Sequence, residues 1–403
     1  MQRSDGHVEI WSAGVKLSYI VTMTPQRAQS ETNMRDWRAA VSAPLTYRIG
    51  SSTLHFRLHL VFLSCLISVA VLLLLGLTLT GSPTRAITGE VARQEQCPLT
   101  RHVRSRGGKY RLAVVADPDT DSKTGQGWQS YLMTGELVVR GEQVEVTWGP
   151  EKVLTTNLGA GGRGMELSEL QRFSGRLLTL DDRTGVVYSI EGDTVVPWVI
   201  LSDGPGNVTK GFKAEWSTVV GDRMVVGGLG KEWTTTTGEI INHHPMWVKM
   251  ISCDGAVTHH DWRSHYLTVR EAVGISWPGY MIHEAVCWSH VRREWTFLPR
   301  RLSKSKYDDV TDERMGSNII IIADESFSRL RTVTVGEKIP THGFSSCKFV
   351  PGTEDQLMVA LKSEEIEGKV ATYMMVFNME GKVLFQEEKI GDRKFEGIEF
   401  LAS

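Results

Sequence analysis

Cysteine is scarce in this chain of 403 residues. The five cysteines, at positions 65, 97, 253, 287 and 347, form no Cys-x-x-Cys pair, so no zinc or thioredoxin-type site is indicated and at most two disulfides can form. Cys287 and Cys347 fall in runs that read as core strands and are expected to be buried thiols. A dominant charge is missing too, since 45 lysines and arginines against 47 aspartates and glutamates leave a formal charge of −2. Without a basic field to displace counterions, nucleic acid is not an expected partner. Helical periodicity is almost absent, the exception being His265 to Val273, ended by Gly274. Two phosphate and calcium motifs also fail. Gly227-Gly-Leu-Gly-Lys231 has Val225 where the first Walker glycine belongs and Glu232 in place of Ser or Thr. The acidic run from Asp308 to Glu313 lacks the glycine of an EF-hand. The pairs His243-His244 and His259-His260 have no acidic partner at ligand spacing and read as loop residues.

One long apolar run is present. Leu60 to Leu79 carries no charge over 20 residues, enough to cross a bilayer as a helix, and begins too far from Met1 to be an ordinary signal peptide. A buried core helix seldom lacks charge for that length. The expected organisation is a cytoplasmic tail at 1–57, a transmembrane signal anchor at 58–80, a luminal stem at 81–107 and a folded domain at 108–403. The tail mixes Ser, Thr, Gln and scattered charge without sustained periodicity and is expected to be mostly disordered. Arg48 and Arg57 on one flank are matched by Arg85 and Arg93 on the other, so the flanks do not fix orientation. The single glycosylation sequon, Asn207-Val-Thr209, follows Gly204-Pro205-Gly206 in an evident loop; its use would place everything after the span in the secretory lumen.

From Tyr110 onward short runs of β-branched and aromatic residues alternate with turns such as Glu191-Gly-Asp193 and Glu380-Gly381, which predicts strand after strand. A motif recurs among them. Glu284 is followed four residues on by Trp288, Ser345 by Phe349 and Glu396 by Phe400, and in an ideal strand residues four apart share a face. Two further stretches, Met165-Glu-Leu-Ser168 and Lys210-Gly-Phe-Lys-Ala-Glu215-Trp216, extend the series. Ser168, Glu215, Glu284, Ser345 and Glu396 are separated by about one four-stranded sheet each. The expected fold is therefore all-β, a five-bladed β-propeller with one oxygen-bearing side chain per blade turned to a common axis, preceded by a single transmembrane helix.

Longer motifs sharpen this reading. Asp181-Asp-Arg-Thr-Gly-Val-Val-Tyr188, Pro197-Trp-Val-Ile-Leu-Ser-Asp203, Lys210 to Trp216, Gly227 to Gly238, Phe297-Leu-Pro-Arg-Arg301, Pro340-Thr-His-Gly-Phe-Ser-Ser346 and Glu396-Gly-Ile-Glu-Phe400 closely resemble the calcium-activated nucleotidases, or calcium-dependent apyrases, of the vertebrate soluble type. The resemblance covers roughly Tyr110 to Phe400. It implies calcium (Ca2+) on a propeller axis and hydrolysis of nucleoside di- and triphosphates, with UDP and GDP favoured. It also implies residence in the endoplasmic reticulum and Golgi membrane, as a single-pass type II protein with a luminal catalytic domain, and release of a secreted soluble form. The calcium ligands carried over are Ser168, Glu169, Glu215, Glu284, Ser345 and Glu396, with Glu169 standing where the family is expected to have Asp.

Hard calcium suits a ring of carboxylate and hydroxyl oxygens. The plain alternative for each glutamate is a solvated strand end. Asp117-Pro-Asp119, at the exit of a strand, reads either as an Asx turn or as the group that orients the attacking water or holds metal and phosphate. Arg163, Arg183 and Arg300 are each ordinary surface charges when taken singly; together they can neutralise charge on a transferred phosphoryl group. Two other functions compete. A Golgi glycosyltransferase could use Asp117-Pro-Asp119, but needs strands alternating with helices. A non-enzymatic propeller would only present a binding surface. The expected partners are nucleotides and the membrane through one span, with a homodimer as an option.

Overall fold

A computed structural model describes residues 107–402, together with the backbone of four short strands before them. The chain divides into two units, residues 1–93 and 94–403. In the first, His7–Ser12 pairs with Val15–Ile20 and Leu45–Ile49 with Ser52–Phe56, both antiparallel. The tail expected to be mostly disordered therefore contains two hairpins. In backbone register Val8 stands opposite Tyr19, Ile10 opposite Leu17 and Tyr47 opposite Leu54. The anchor expected at 58–80 and the stem up to 106 lie outside the described residues. Among the described residues no helix is long and apolar enough to cross a membrane.

The second unit is the expected five-bladed propeller. Its first complete sheet runs outward through Leu167–Phe173, Arg176–Asp181, Val186–Glu191 and Thr194–Ile200. The second uses Trp216–Val220, Arg223–Gly227, Trp247–Ile251 and Val257–Asp261. In the third, Tyr280–Ser289 is followed by Glu294–Ser303, Ile319–Asp324 and Leu330–Thr334; in the fourth, His342–Phe349 by Leu357–Ile366, Lys369–Asn378 and Val383–Gly391. The fifth joins the two ends of the domain. Its innermost strand, Phe395–Phe400, pairs with Lys109–Ala116, which leads out to Gly127–Arg140 and Gln143–Thr156. Closing the ring this way ties the C-terminal strand to the first strand of the domain.

Apolar side chains fill the spaces between blades. Trp216, Trp262, Trp288, Trp295 and Phe297 form one such core, with Trp262 and Trp295 edge-on at a centroid separation of 4.9 Å. Cys287 and Cys347 belong to another and are buried free thiols, as expected, while Cys253 is disulfide-bonded. The predicted helical turn is observed as Arg263–Glu271. The strands Gly127–Arg140 and Gln143–Thr156 run for 14 residues each, straight through Gly135 and Gly149-Pro150, which read as breaks in the sequence. A Cβ on Gly135 would meet Trp148 at 2.7 Å, so glycine marks a close approach within a bulged strand.

Candidate metal centre and active site

Four of the five singled-out residues lie within innermost strands and the fifth, Glu215, directly precedes one; those four share a local device. In the third blade, pairing passes from His283 to Ala285 and skips Glu284. It skips Ser345 between Phe344 and Ser346, Glu396 between Phe395 and Gly397, and Ser168 between Leu167 and Glu169. Each is the extra residue of a β-bulge, which turns a side chain out of the normal alternation. Simple alternation over four residues was thus the wrong reason for the spacing: the bulge frees the oxygen-bearing residue, and the following aromatic packs among the blades. Glu215 arrives differently, just before its strand, with its N–H bonded to Gly227 O at 2.8 Å. Only glycine fits at 227, since a Cβ would meet the Trp216 indole at 2.1 Å.

Glu215, Glu284 and Glu396 converge: one oxygen from each lies within 4.8 Å of the others, and all three residues are buried. Burial, opposed by Lys213 and reinforced by the charge of Glu284, pushes Glu215 up to about 8, and burial drives Glu396 well above the usual carboxylate range. Such a set calls for a proton or a cation. Oxygens on opposite sides of a calcium ion are about 4.6–5.2 Å apart, so this spread fits that ion. The Ser168 hydroxyl donates to Ala214 O at 2.6 Å, directly before Glu215, and that of Ser345 to Phe395 O at 3.4 Å, directly before Glu396. With their protons turned to carbonyls, both hydroxyls keep lone pairs for a cation. Glu169 is held elsewhere. Its carboxylate accepts from Leu170 N at 2.8 Å and Ser346 Oγ at 3.1 Å and pairs with Lys348 at 3.3 Å, so the structure does not bring it to the three glutamates.

A second buried triad, Asp117, Glu166 and Asp182, is equally tight, with one oxygen from each within 4.8 Å of the others. Burial and the charge of Asp117 push Glu166 up to about 8; burial pushes Asp182 up to about 6. The Asx turn of Asp117-Pro-Asp119 is present, with Asp119 N–H donating to Asp117 Oδ1 at 2.8 Å, and Asp117 is at the same time a member of this triad. Cations stitch the two sets together. Lys213 pairs with Asp182 and, at 2.8 Å, with Glu215 Oε1, in a position that makes an ion pair but no hydrogen bond to that oxygen. Lys394 lies 2.6 Å from Asp117, 2.7 Å from Asp119 and 3.9 Å from Glu396. Arg163 and Arg183 both hold Glu166, at 2.6 and 2.9 Å, and Arg163 reaches Asp119 at 3.1 Å. Buried Arg300 pairs with Glu284, Glu365 and, at 2.7 Å, Glu396. Although burial works against it, the charges of Arg300 and Lys394 hold Glu365 down at about 2.

Every arginine singled out in the sequence is therefore in the network, whereas Glu166, Asp182, Lys213, Glu365 and Lys394 were missed. A signal for two of them existed. Lys213-Ala-Glu215 and Lys394-Phe-Glu396 each place a lysine two residues before an axial glutamate. Beside Asp119 and Lys394 opens a cavity of about 420 Å3, lined also by Thr120, Glu365, Lys369 and Arg393.

The sequence model of the apyrase family matches residues 117–401. Over 310 residues the chain is 52% identical to Soluble calcium-activated nucleotidase 1 of Rattus norvegicus, covering 75% of this chain and 77% of that one. It is 48% identical over 299 residues to Apyrase apy-1 of Caenorhabditis elegans, covering 72% and 84%, and 43% identical over 323 residues to Apyrase of Cimex lectularius, covering 78% and 89%. Fold, charged site and relatives together define a propeller hydrolase, an enzyme that hydrolyses nucleotides. The chain belongs to the apyrase family, within its calcium-activated nucleotidases. The non-enzymatic alternative falls with that membership. The glycosyltransferase alternative falls too, since the propeller lacks the alternation of strands and helices it needs.

Proposed function

We propose that this enzyme hydrolyses nucleoside diphosphates, UDP and GDP above others, and triphosphates, in a calcium-dependent reaction within the secretory pathway. The observation that carries the reading is the charge balance of the site. Eight carboxylates (Asp117, Asp119, Glu166, Asp182, Glu215, Glu284, Glu365 and Glu396) face five cations (Arg163, Arg183, Lys213, Arg300 and Lys394) in one cluster. When all are ionised, three negative charges are uncompensated before an anionic substrate arrives. Glu215, Glu284 and Glu396, with Ser168 and Ser345, would hold the calcium ion, which would supply a fixed dication to draw charge from phosphoryl oxygens. Lys213, Lys394 and Arg300, already positioned by their carboxylates, neutralise the charge that builds on the transferred group. Asp117 or Asp119, both paired with Lys394, orients the attacking water or holds metal and phosphate. Phosphate release by the full-length protein from UDP, GDP and ADP, with calcium or a chelator, tests this. Release from UDP and GDP that stops in chelator is expected; equal release in chelator, or manganese-dependent sugar transfer instead, overturns it.

The proposal includes the anchor. Leu60 to Leu79 holds the protein in the endoplasmic reticulum and Golgi membrane with the propeller in the lumen, and cleavage of the stem releases a soluble form. Asn207 is exposed in its loop, as a glycan acceptor must be. In sealed microsomes the propeller is expected to resist protease, and glycosidase is expected to increase its mobility unless Asn207 is changed to Gln. Digestion of the propeller without detergent would reverse the topology.

A further inference from the structure

The triad of Asp117, Glu166 and Asp182 has a loose end. Its members are 4%, 1% and 5% exposed. Lys394 engages Asp117 Oδ2, Arg163 and Arg183 engage both oxygens of Glu166, and Lys213 engages Asp182 Oδ2. Asp182 Oδ1 is left buried with no hydrogen-bond partner among the described residues. A buried carboxylate oxygen without a donor is costly, and a cation ligated there satisfies it.

We propose that Asp117, Glu166 and Asp182 form a second divalent-cation site, which takes calcium together with a phosphate group of the substrate. Three observations support it besides the orphaned oxygen. The triad oxygens, within 4.8 Å of one another, have the spread of the axial set and fit the same about 4.6–5.2 Å sphere. The two sets are neighbours, because Lys213 joins Asp182 to Glu215 and Lys394 stands between Asp117 and Glu396. A phosphate held between them meets an ammonium from either side. Finally, one dication does not neutralise the cluster. Of the three uncompensated negative charges it removes two, and a nucleotide then adds its own. A second dication makes room for that charge. Its coordination is completed by phosphate oxygens and water, since the arginines and lysines already occupy part of each carboxylate.

The phosphate half of this inference rests on the proposed nucleotidase reaction, but the metal half does not, so the test reads metal binding rather than turnover. Calorimetric titration of the full-length protein with calcium, alone and in the presence of inorganic phosphate, is expected to show two binding events per chain, the weaker one tightened at least tenfold by phosphate. Asp182→Asn is expected to lose the weaker event and keep the other; Glu284→Gln is expected to weaken the stronger one. Asp117→Asn serves as a second variant should Asp182→Asn fail to fold by far-UV circular dichroism. A single event in the unmodified protein under both conditions overturns the proposal whatever the variants do. So do two events that survive unchanged in Asp182→Asn and Asp117→Asn. Two events in a protein that hydrolyses no nucleotide would remove the proposed function and leave the second site standing.

Discussion

Arg300→Ala is expected to melt far below the parent protein in chelator, to recover much of that loss in calcium, and to hydrolyse UDP about 10²–10³ times more slowly at saturating calcium. The guanidinium is buried and shared by Glu284, Glu396 and Glu365, with Glu215 close to the first two. Removing one partner of a buried ion pair typically costs about 3–5 kcal/mol, chiefly because it strands the opposite charge. Here it strands a cluster of like charges on adjacent blades, so the cost falls on closure of the ring. Calcium offsets that repulsion, because the carboxylates deprived of Arg300 still have the ion. It is not expected to restore turnover, since a cation proposed to meet the phosphoryl group is gone. Scanning calorimetry in chelator and in calcium, with UDP hydrolysis on the same samples, separates the two effects. Equal melting of variant and parent in chelator, with unchanged turnover, would reduce Arg300 to a bystander.

That double role was only half visible in the sequence. Propeller closure and the identity of the innermost strands were legible because one oxygen-bearing residue per blade recurs beside aromatic or glycine signals, and the intervals match a four-stranded sheet. The device that presents the oxygen was not legible. A bulge is a mismatch between two strands, and Glu284 looks like any strand residue until its partner, running from His283's neighbour Pro299 to Ala285's neighbour Leu298, is known. The second triad was illegible for a related reason. Asp117, Glu166 and Asp182 come from the fifth blade, the loop before the first blade's innermost strand and the turn after its second strand, and nothing in their local spacing announces that they meet. Lys213 and Lys394 could have been found, because each stands two residues before an axial glutamate in the sequence. Glu169 is placed differently from the other candidates. Its position beside Ser168 made it a ligand candidate, yet Lys348 and Ser346 from the fourth blade claim its carboxylate.

Glu284→Gln probes the axial set alone, and its expected signature is a change in sign between two conditions. The substitution keeps the shape of the side chain but removes one charge and one strong ligand oxygen. In chelator, Glu215 and Glu396 lose a repelling neighbour, while Arg300 retains Glu396 and Glu365, so the variant is expected to melt within a few degrees of the parent or above it. In calcium the order reverses. A ligand present at a hundred times its dissociation constant stabilises the native state by about 2.7 kcal/mol, and a tenfold weakening at the same concentration removes about 1.3 of that. The calcium needed for half-maximal UDP hydrolysis is expected to rise at least tenfold. Magnesium is expected to rescue poorly in parent and variant alike, because its octahedral shell at 2.0–2.1 Å holds its waters and tolerates a loose ring of oxygens less well. Calcium titrations of both hydrolysis and melting, run on parent and variant, decide the matter: superimposable curves would mean that Glu284 is no ligand, and that the convergence of the three glutamates serves only to anchor Arg300 and Lys213.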